Sequence, residues 1–290
     1  VSKTQQKLER LLRRNTPIML DAVNEWFAWQ VKQVREDFNN KFVKAKYSDF
    51  TDWEFIEEQG VKTIKPATLT IMESGGDAGV EQVSATGSFD VVNVKAVRAA
   101  EKIAGVAVTS ITKETRKAIS RYIAEAVKQG RSMQKVSMDL RFVVGLNDNQ
   151  VIAVNNRRIA LETGKQKLSA KEIDRRIATY ERKLLRQRTR AIARTETATA
   201  QNTGYVQGLE QEGITEVEFS ASPNACPECL ALNGQIFSTT EGAGVIPVHP
   251  NCTCGFLPVI GGNGVDKPVI KSLAGNRRCR HISKGLKRCG

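Results

Sequence analysis

Apolar residues recur at steps of three and four through most of the first 210 positions, and the period shortens towards two after residue 214. Leu20, Val23, Phe27, Val31, Val34 and Phe38 form one such stripe, the signature of an amphipathic helix. Asn15-Thr16 ahead of Pro17 reads as an N-cap pair with proline at the first helical position, so the helix is predicted to start there. Trp26 and Trp29 flank the stripe and read as core or interface anchors rather than a platform for nucleobases. Positions 39–110 are less regular. Gly75-Gly76 and Gly87 punctuate short segments, 68–71 alternates weakly like a strand, and 94–104 reads as a helix stopping at Gly105.

The signals then sharpen. Residues 114–128 place Ile119, Tyr122, Ile123 and Val127 on one face and run into Gly130, a natural residue just past a helix end. Ser132 can cap a short helix running to Gly145, and Asn147 or Asp148 the next, which ends near Gly164. Ser169-Ala-Lys-Glu172 has the capping-box pattern and opens a long helix that continues past Ala200. Ile173, Ile177, Tyr180, Leu184 and Ile192 face inward on it; Arg175, Arg176, Arg182, Lys183, Arg186, Arg188 and Arg190 face outward. Beyond 214, Val217-Glu-Phe219, Gln235-Ile-Phe237 and Phe256-Leu-Pro258 read as short strands. The sum is an α+β chain, predominantly α-helical. It divides into an N-terminal helical region (1–84), a basic helical part (85–213), a small α+β module (214–260), and a linker with a basic tail (261–290).

Charge changes this picture. The net charge of +13 is concentrated: residues 111–200 hold 21 Lys/Arg against 9 Asp/Glu, and 267–290 hold 8 with no acid. Residues 201–266 hold 7 acids and no Lys or Arg. Two basic blocks around an acidic module point to a polyanion, with phosphate neutralisation giving weak, sequence-independent and salt-sensitive binding to double-stranded DNA. The contacts would come from Arg175, Arg176, Arg182, Lys183, Arg186 and Arg190 on the long helix, and from Arg277, Arg278, Arg280, Lys284, Lys287 and Arg288 in the tail. An acidic protein surface is the other reading of the same charge. No apolar run approaches the roughly 18–20 residues of a membrane span, and the charged N-terminus lacks a secretory h-region, so a soluble, intracellularly made protein without membrane contact is the expectation.

The chemistry lies in the acidic module. Cys226-Pro-Glu-Cys229 is followed by His249-Pro-Asn-Cys252-Thr-Cys254, five candidate ligands for one tetrahedral ion. Cys226, Cys229 and Cys252 with either His249 or Cys254 would saturate zinc, and a saturated site is structural because no position is left for water. Cys279 and Cys289 read as free thiols in the tail. Enzyme readings fail on inventory. The upstream element of a nucleic-acid deaminase is missing, there is no phosphate-binding P-loop, and only His249 and His281 could serve as a histidine base.

Ile192-Ala-Arg194-Thr195-Glu196, Asn202, Gly204, the Cys-x2-Cys pair, Leu232-Asn-Gly234 and the His249–Cys254 segment occur in an order that resembles the phage Mu F-like head-morphogenesis family. Phe89-Asp90, 111–116 and Gly145-Leu146 add to the likeness, which spans roughly 85–258. The resemblance implies a non-enzymatic minor capsid protein of a tailed phage, made in the host cytoplasm and held in the capsid interior near the portal. Its implied partners are the portal protein, DNA, and the major capsid or a scaffolding protein. Arg194, Thr195, Glu196 and Asn202 correspond to the family signature. Two positions apart on a helix, Arg194 and Glu196 cannot pair with each other across one face; each could instead tie the helix to its neighbours or to the zinc module. The alternative is a metal-dependent nuclease built around Glu196.

Overall fold

A computed structural model describes residues 2–41, 50–84, 86–164 and 166–260. Six helices come first: α1 (Lys3–Lys41), α2 (Trp53–Val83), α3 (Val94–Lys128), α4 (Met133–Val143), α5 (Asp148–Glu162) and α6 (Ala170–Gln211). There follow β1 (Glu216–Ser220), α7 (Pro227–Leu230), β2 (Ile236–Ser238), α8 (Thr239–Gly242) and β3 (Gly255–Pro258). The expected class, predominantly α with a little β near the C-terminus, is what forms. No helix among the described residues is long and apolar enough to cross a membrane.

The chain falls into two compact units. Among the described residues, one takes 2–14, 71–96 and 198–260; the other takes 15–70 and 97–197. The second unit is helical. Trp26 is fully buried and its indole N–H donates to the Ile56 carbonyl at 3.3 Å. A side chain at Gly60 would collide with that indole, a Cβ falling 2.6 Å from the ring. Ser132 caps α4 through the Lys135 N–H, and Asn147 and Gln150 form a reciprocal capping box on α5. Gly130 and Gly145 take positive φ just past α3 and α4, as the sequence predicts.

Several expectations fail here, each because packing overrides a local signal. Pro17 does not open a helix but lies inside α1, and the expected cap Asn15 is buried. The apolar face runs unbroken through Leu8, Leu11 and Leu12 to Met19, Val23 and Trp26. At about 1.5–3 kcal/mol per buried side chain, that face outweighs the roughly 3 kcal/mol an internal proline costs. The strand reading of 68–71 fails because the segment is inside α2, where Thr68 and Thr70 hydroxyls donate to the carbonyls of Ile64 and Pro66. Gly105 does not end a helix. It sits within α3, where buried Ala100, Ala104, Ala107 and Val108 hold the turn. Val127, expected inward, is exposed, whereas Ile119, Tyr122 and Ile123 are buried. Arg188, expected outward, is buried, and donates to Gly145 O and the Glu114 carboxylate, both at 2.9 Å. Only half of the Ser169 capping box forms. The Ser169 hydroxyl accepts from Glu172 N, while the Glu172 carboxylate grips Arg175 and Arg176.

The first unit is built on close backbone contact. A Cβ on Gly75 would sit 2.2 Å from Gln201 O, one on Gly204 2.1 Å from Met72 O, and one on Gly208 2.2 Å from Gly76 O. Only glycine lets α2 and α6 approach this far. Against them lies a three-stranded antiparallel sheet in the order β2-β1-β3, pairing Val217 with Phe237 and Phe219 with Phe256. Val217 and Phe219 point inward from β1, and the Phe219 and Phe256 rings meet edge to face at 6.0 Å.

Candidate metal centre

The same core holds the cysteines. Cys229, Cys252 and Cys254 are buried among Leu8, Tyr205, Leu209, Phe219 and Phe256. Cys226 ends the approach to α7 in extended backbone, and Pro227 then starts the turn without needing an amide partner. One helical turn later Cys229 faces the same side, which is what a Cys-x2-Cys spacing provides. The other ligands arrive on a tight reversal. Asn251 takes φ of 63°, a region asparagine tolerates better than most side chains, and Cys252 N donates back to His249 O at 3.1 Å.

Two overlapping triads result. Cys226, Cys229 and His249 bring their ligand atoms within 4.8 Å of one another, and so do Cys229, Cys252 and Cys254. Cys229 belongs to both. Its Sγ lies 3.3 Å from His249 Nε2 and 3.8 Å from Cys252 Sγ. Zinc–sulfur bonds of about 2.3 Å at tetrahedral angles set sulfurs about 3.8 Å apart, so this edge suits such an ion. His249 Nδ1 lies 2.9 Å from the Pro250 carbonyl. A proton donated there leaves Nε2 as the free lone pair, an orientation typical of ligating histidines. Burial pushes the Cys229 thiol up; the Cys252 hydrogen bond and burial do the same to Cys254. The Cys254 hydrogen bond in turn lowers Cys252, the thiol that ionises most readily. Packed thiols that resist shedding their protons together are a donor set for a cation. The cluster can hold a metal ion.

A residue that sequence reading passes over supports this loop from α1. Gln5 is fully buried and its amide donates to Thr253 O, between two cysteines, at 3.0 Å. Thr253 Oγ1 donates in turn to Ser222 Oγ at 3.0 Å. The available signal was a polar residue three before Leu8 on an apolar face.

The remaining site residues are spread out. Arg194 is exposed, Thr195 donates to Ala191 O within its own helix, and Asn202 is buried and donates to Ala198 O. Glu196 is half-buried and burial pushes its carboxyl up to about 7. The expected ties from Arg194 and Glu196 to neighbouring elements do not form among the described residues. Arg182, Lys183, Arg186 and Arg190 stand exposed on α6, while Arg175 and Arg176 are held by Glu172. The six basic tail positions, with Cys279 and Cys289, lie outside the described residues.

Fold and site together define a helical protein carrying a small Cys/His-centred sheet. A family model described as Phage Mu protein F like protein matches residues 117–257. The match runs from the C-terminal part of α3 through the whole Cys/His cluster into β3; Phe89-Asp90 and 111–116 lie ahead of it. No curated protein and no solved structure gives a significant match.

Proposed function

We propose that the chain is a non-enzymatic head-morphogenesis protein of a tailed phage, a minor component of the virion held inside the capsid near the portal. The observation that carries this is the family match over 117–257, which encloses both the five-ligand cluster and α6. Portal protein is the main partner, and the major capsid or a scaffolding protein a further one. The ion is zinc, held by Cys226, Cys229, His249 and Cys252, with Cys254 beside them as a fifth donor; four protein ligands leave it a structural role. Double-stranded DNA contacts the exposed α6 face through Arg182, Lys183, Arg186 and Arg190, with the tail adding charge. The nuclease reading gains no support from Glu196. That carboxyl holds its proton near neutrality, and it joins no cluster of three ligands among the described residues.

Imaging of intact particles tests placement: density for the chain at the portal vertex supports the reading, and its absence from purified virions overturns it. For DNA, Arg182, Arg186 and Arg190 changed together to Glu should weaken binding equally on unrelated duplexes. The salt slope should also flatten by about 0.9 log unit per lost phosphate contact. A strong preference for one sequence would overturn the DNA part.

A further inference from the structure

In the helical unit, α4, α5 and α6 enclose a cleft of about 240 Å³ with a charged, ordered floor. Lys135 Nζ lies 2.9 Å from Asp174 and 3.3 Å from Asp139, and Arg158 also holds Asp174 at 2.9 Å. Tyr122 donates to Asp139 at 2.7 Å, and Arg131 donates to the Tyr122 hydroxyl at 3.3 Å. Two cations thus neutralise two carboxylates. Glu181 is left over. It lines the cleft, is 3% exposed, and makes no hydrogen bond or ion pair among the described residues. At the mouth stand Lys171, with no acidic partner among the described residues, and Arg141, stacked 4.4 Å over the Phe142 ring. An unpaired buried polar group is destabilising, so one facing an open cleft gains most from a ligand that bonds it.

We propose that this cleft binds a phosphate-type oxyanion, with Lys171 and Arg141 at its mouth, a charge-neutral floor, and Glu181 as hydrogen-bond donor. A cationic ligand fits less well, because the floor acids are already paired and the mouth is positive. Burial and the neighbouring Asp139 raise the Glu181 carboxyl to about 8, against the opposing pull of Arg158, Lys135 and Arg131. At neutral pH it therefore carries a proton to donate, and above pH 8 it repels the anion instead. The other groups facing it are Tyr122, pushed well above its ordinary value, and Asp174, held low by Lys135 and Arg158. Arg175 borders the cleft but its guanidinium is taken by Glu172. The site does not depend on the DNA contact proposed for the α6 face.

Inorganic phosphate titrated into the full chain at constant ionic strength tests this by calorimetry, with sulfate, whose charge does not change between pH 6.5 and pH 9, as the probe for the pH series. Saturable binding is expected, weaker by about tenfold at pH 9 than at pH 6.5. Lys171→Glu with Arg141→Glu, both at exposed positions, should weaken it by at least about tenfold with an unchanged circular dichroism spectrum. Glu181→Gln should still bind but lose the pH dependence. A short DNA duplex that displaces phosphate identifies a phosphodiester as the source, and no displacement identifies a free phosphate. No binding at tens of millimolar phosphate, indifference to the mouth reversal, or a pH dependence surviving Glu181→Gln would each overturn the proposal. If Glu181→Gln fails to fold, the mouth variants decide.

Discussion

The two units bury backbone and charge by opposite means. In the unit with the Cys/His cluster, α2 and α6 touch through Gly75, Gly204 and Gly208, and the charged residues stay outside. Both units bury large side chains, but in the helical unit charge is carried in with them, as Arg188, Asp139 and Glu181. Glycine contact brings backbones together but buries little apolar volume. The sheet packed on it has strands of only five, three and four residues, too short to stand alone. That unit gains from a further tie, and the Cys/His cluster inside its core, which can hold a metal ion, is placed to supply one. The helical unit has its tie in ion pairs.

If this contrast holds, metal removal has the largest effect and confines it to one unit. Cys229→Ser breaks both ligand triads at once and should release the ion, of whose binding energy zinc-finger peptides return about 10–16 kcal/mol to folding. Hydrogen exchange in 216–220 and 255–258 should become unprotected, while 15–70 and 97–197 keep their protection. Cys254→Ser should retain one equivalent of metal. Equal metal content in both variants would refute the shared role of Cys229. Next in size is Gly204→Val, whose Cβ meets the Met72 carbonyl and should cost about 4 kcal/mol by thermal melt. Gly105→Ala, where nothing lies within 4 Å, should instead stabilise by up to about 1 kcal/mol.

Local signals made much of this legible. Gly130 ends α3, Ser132 and Gly145 bound α4, and Asn147 opens α5 as read, because capping chemistry acts within four residues of chain. The strands and the five candidate ligands were legible for the same reason: alternation and Cys-x2-Cys spacing are short-range patterns. What escaped depends on partners distant in sequence. Nothing local distinguishes Gly105, which tolerates a side chain, from Gly204, which faces another backbone. Pro17 resembles a helix start unless the apolar face on both sides of it is weighed. Arg188 is one arginine in a basic run until Gly145 and Glu114, over forty and seventy positions away, are placed beside it.

Arg188 gives the third test. Arg188→Ala leaves the buried Gly145 carbonyl without a donor and should cost about 3 kcal/mol in chemical denaturation. Arg186→Ala, on the exposed side of the same helix, should fall within about 0.5 kcal/mol of the parent. Equal effects would mean that the helical unit is not held by its internal charge.

The smallest effect is a pH dependence belonging to the helical unit alone. The carboxyl of Glu181 has an ordinary value of 4.5 and is raised to about 8 in the fold, by burial first and then by Asp139. Below pH 4.5 both folded and unfolded chains hold the proton. Between 4.5 and about 8 the unfolded chain releases it and the folded chain keeps it, so stability falls as pH rises; above 8 both are ionised and the fall ends. In phosphate-free buffer the helical unit should lose on the order of 2 kcal/mol between pH 6 and pH 8. Glu181→Gln should flatten most of that slope, leaving the smaller share from Glu196, which ends near pH 7. The other unit has no buried carboxyl of this kind among its described residues, so hydrogen exchange within it should not follow the Glu181 titration. A slope that persists in Glu181→Gln, or that appears equally in both units, would show that the buried charge of the helical unit is not what sets it apart.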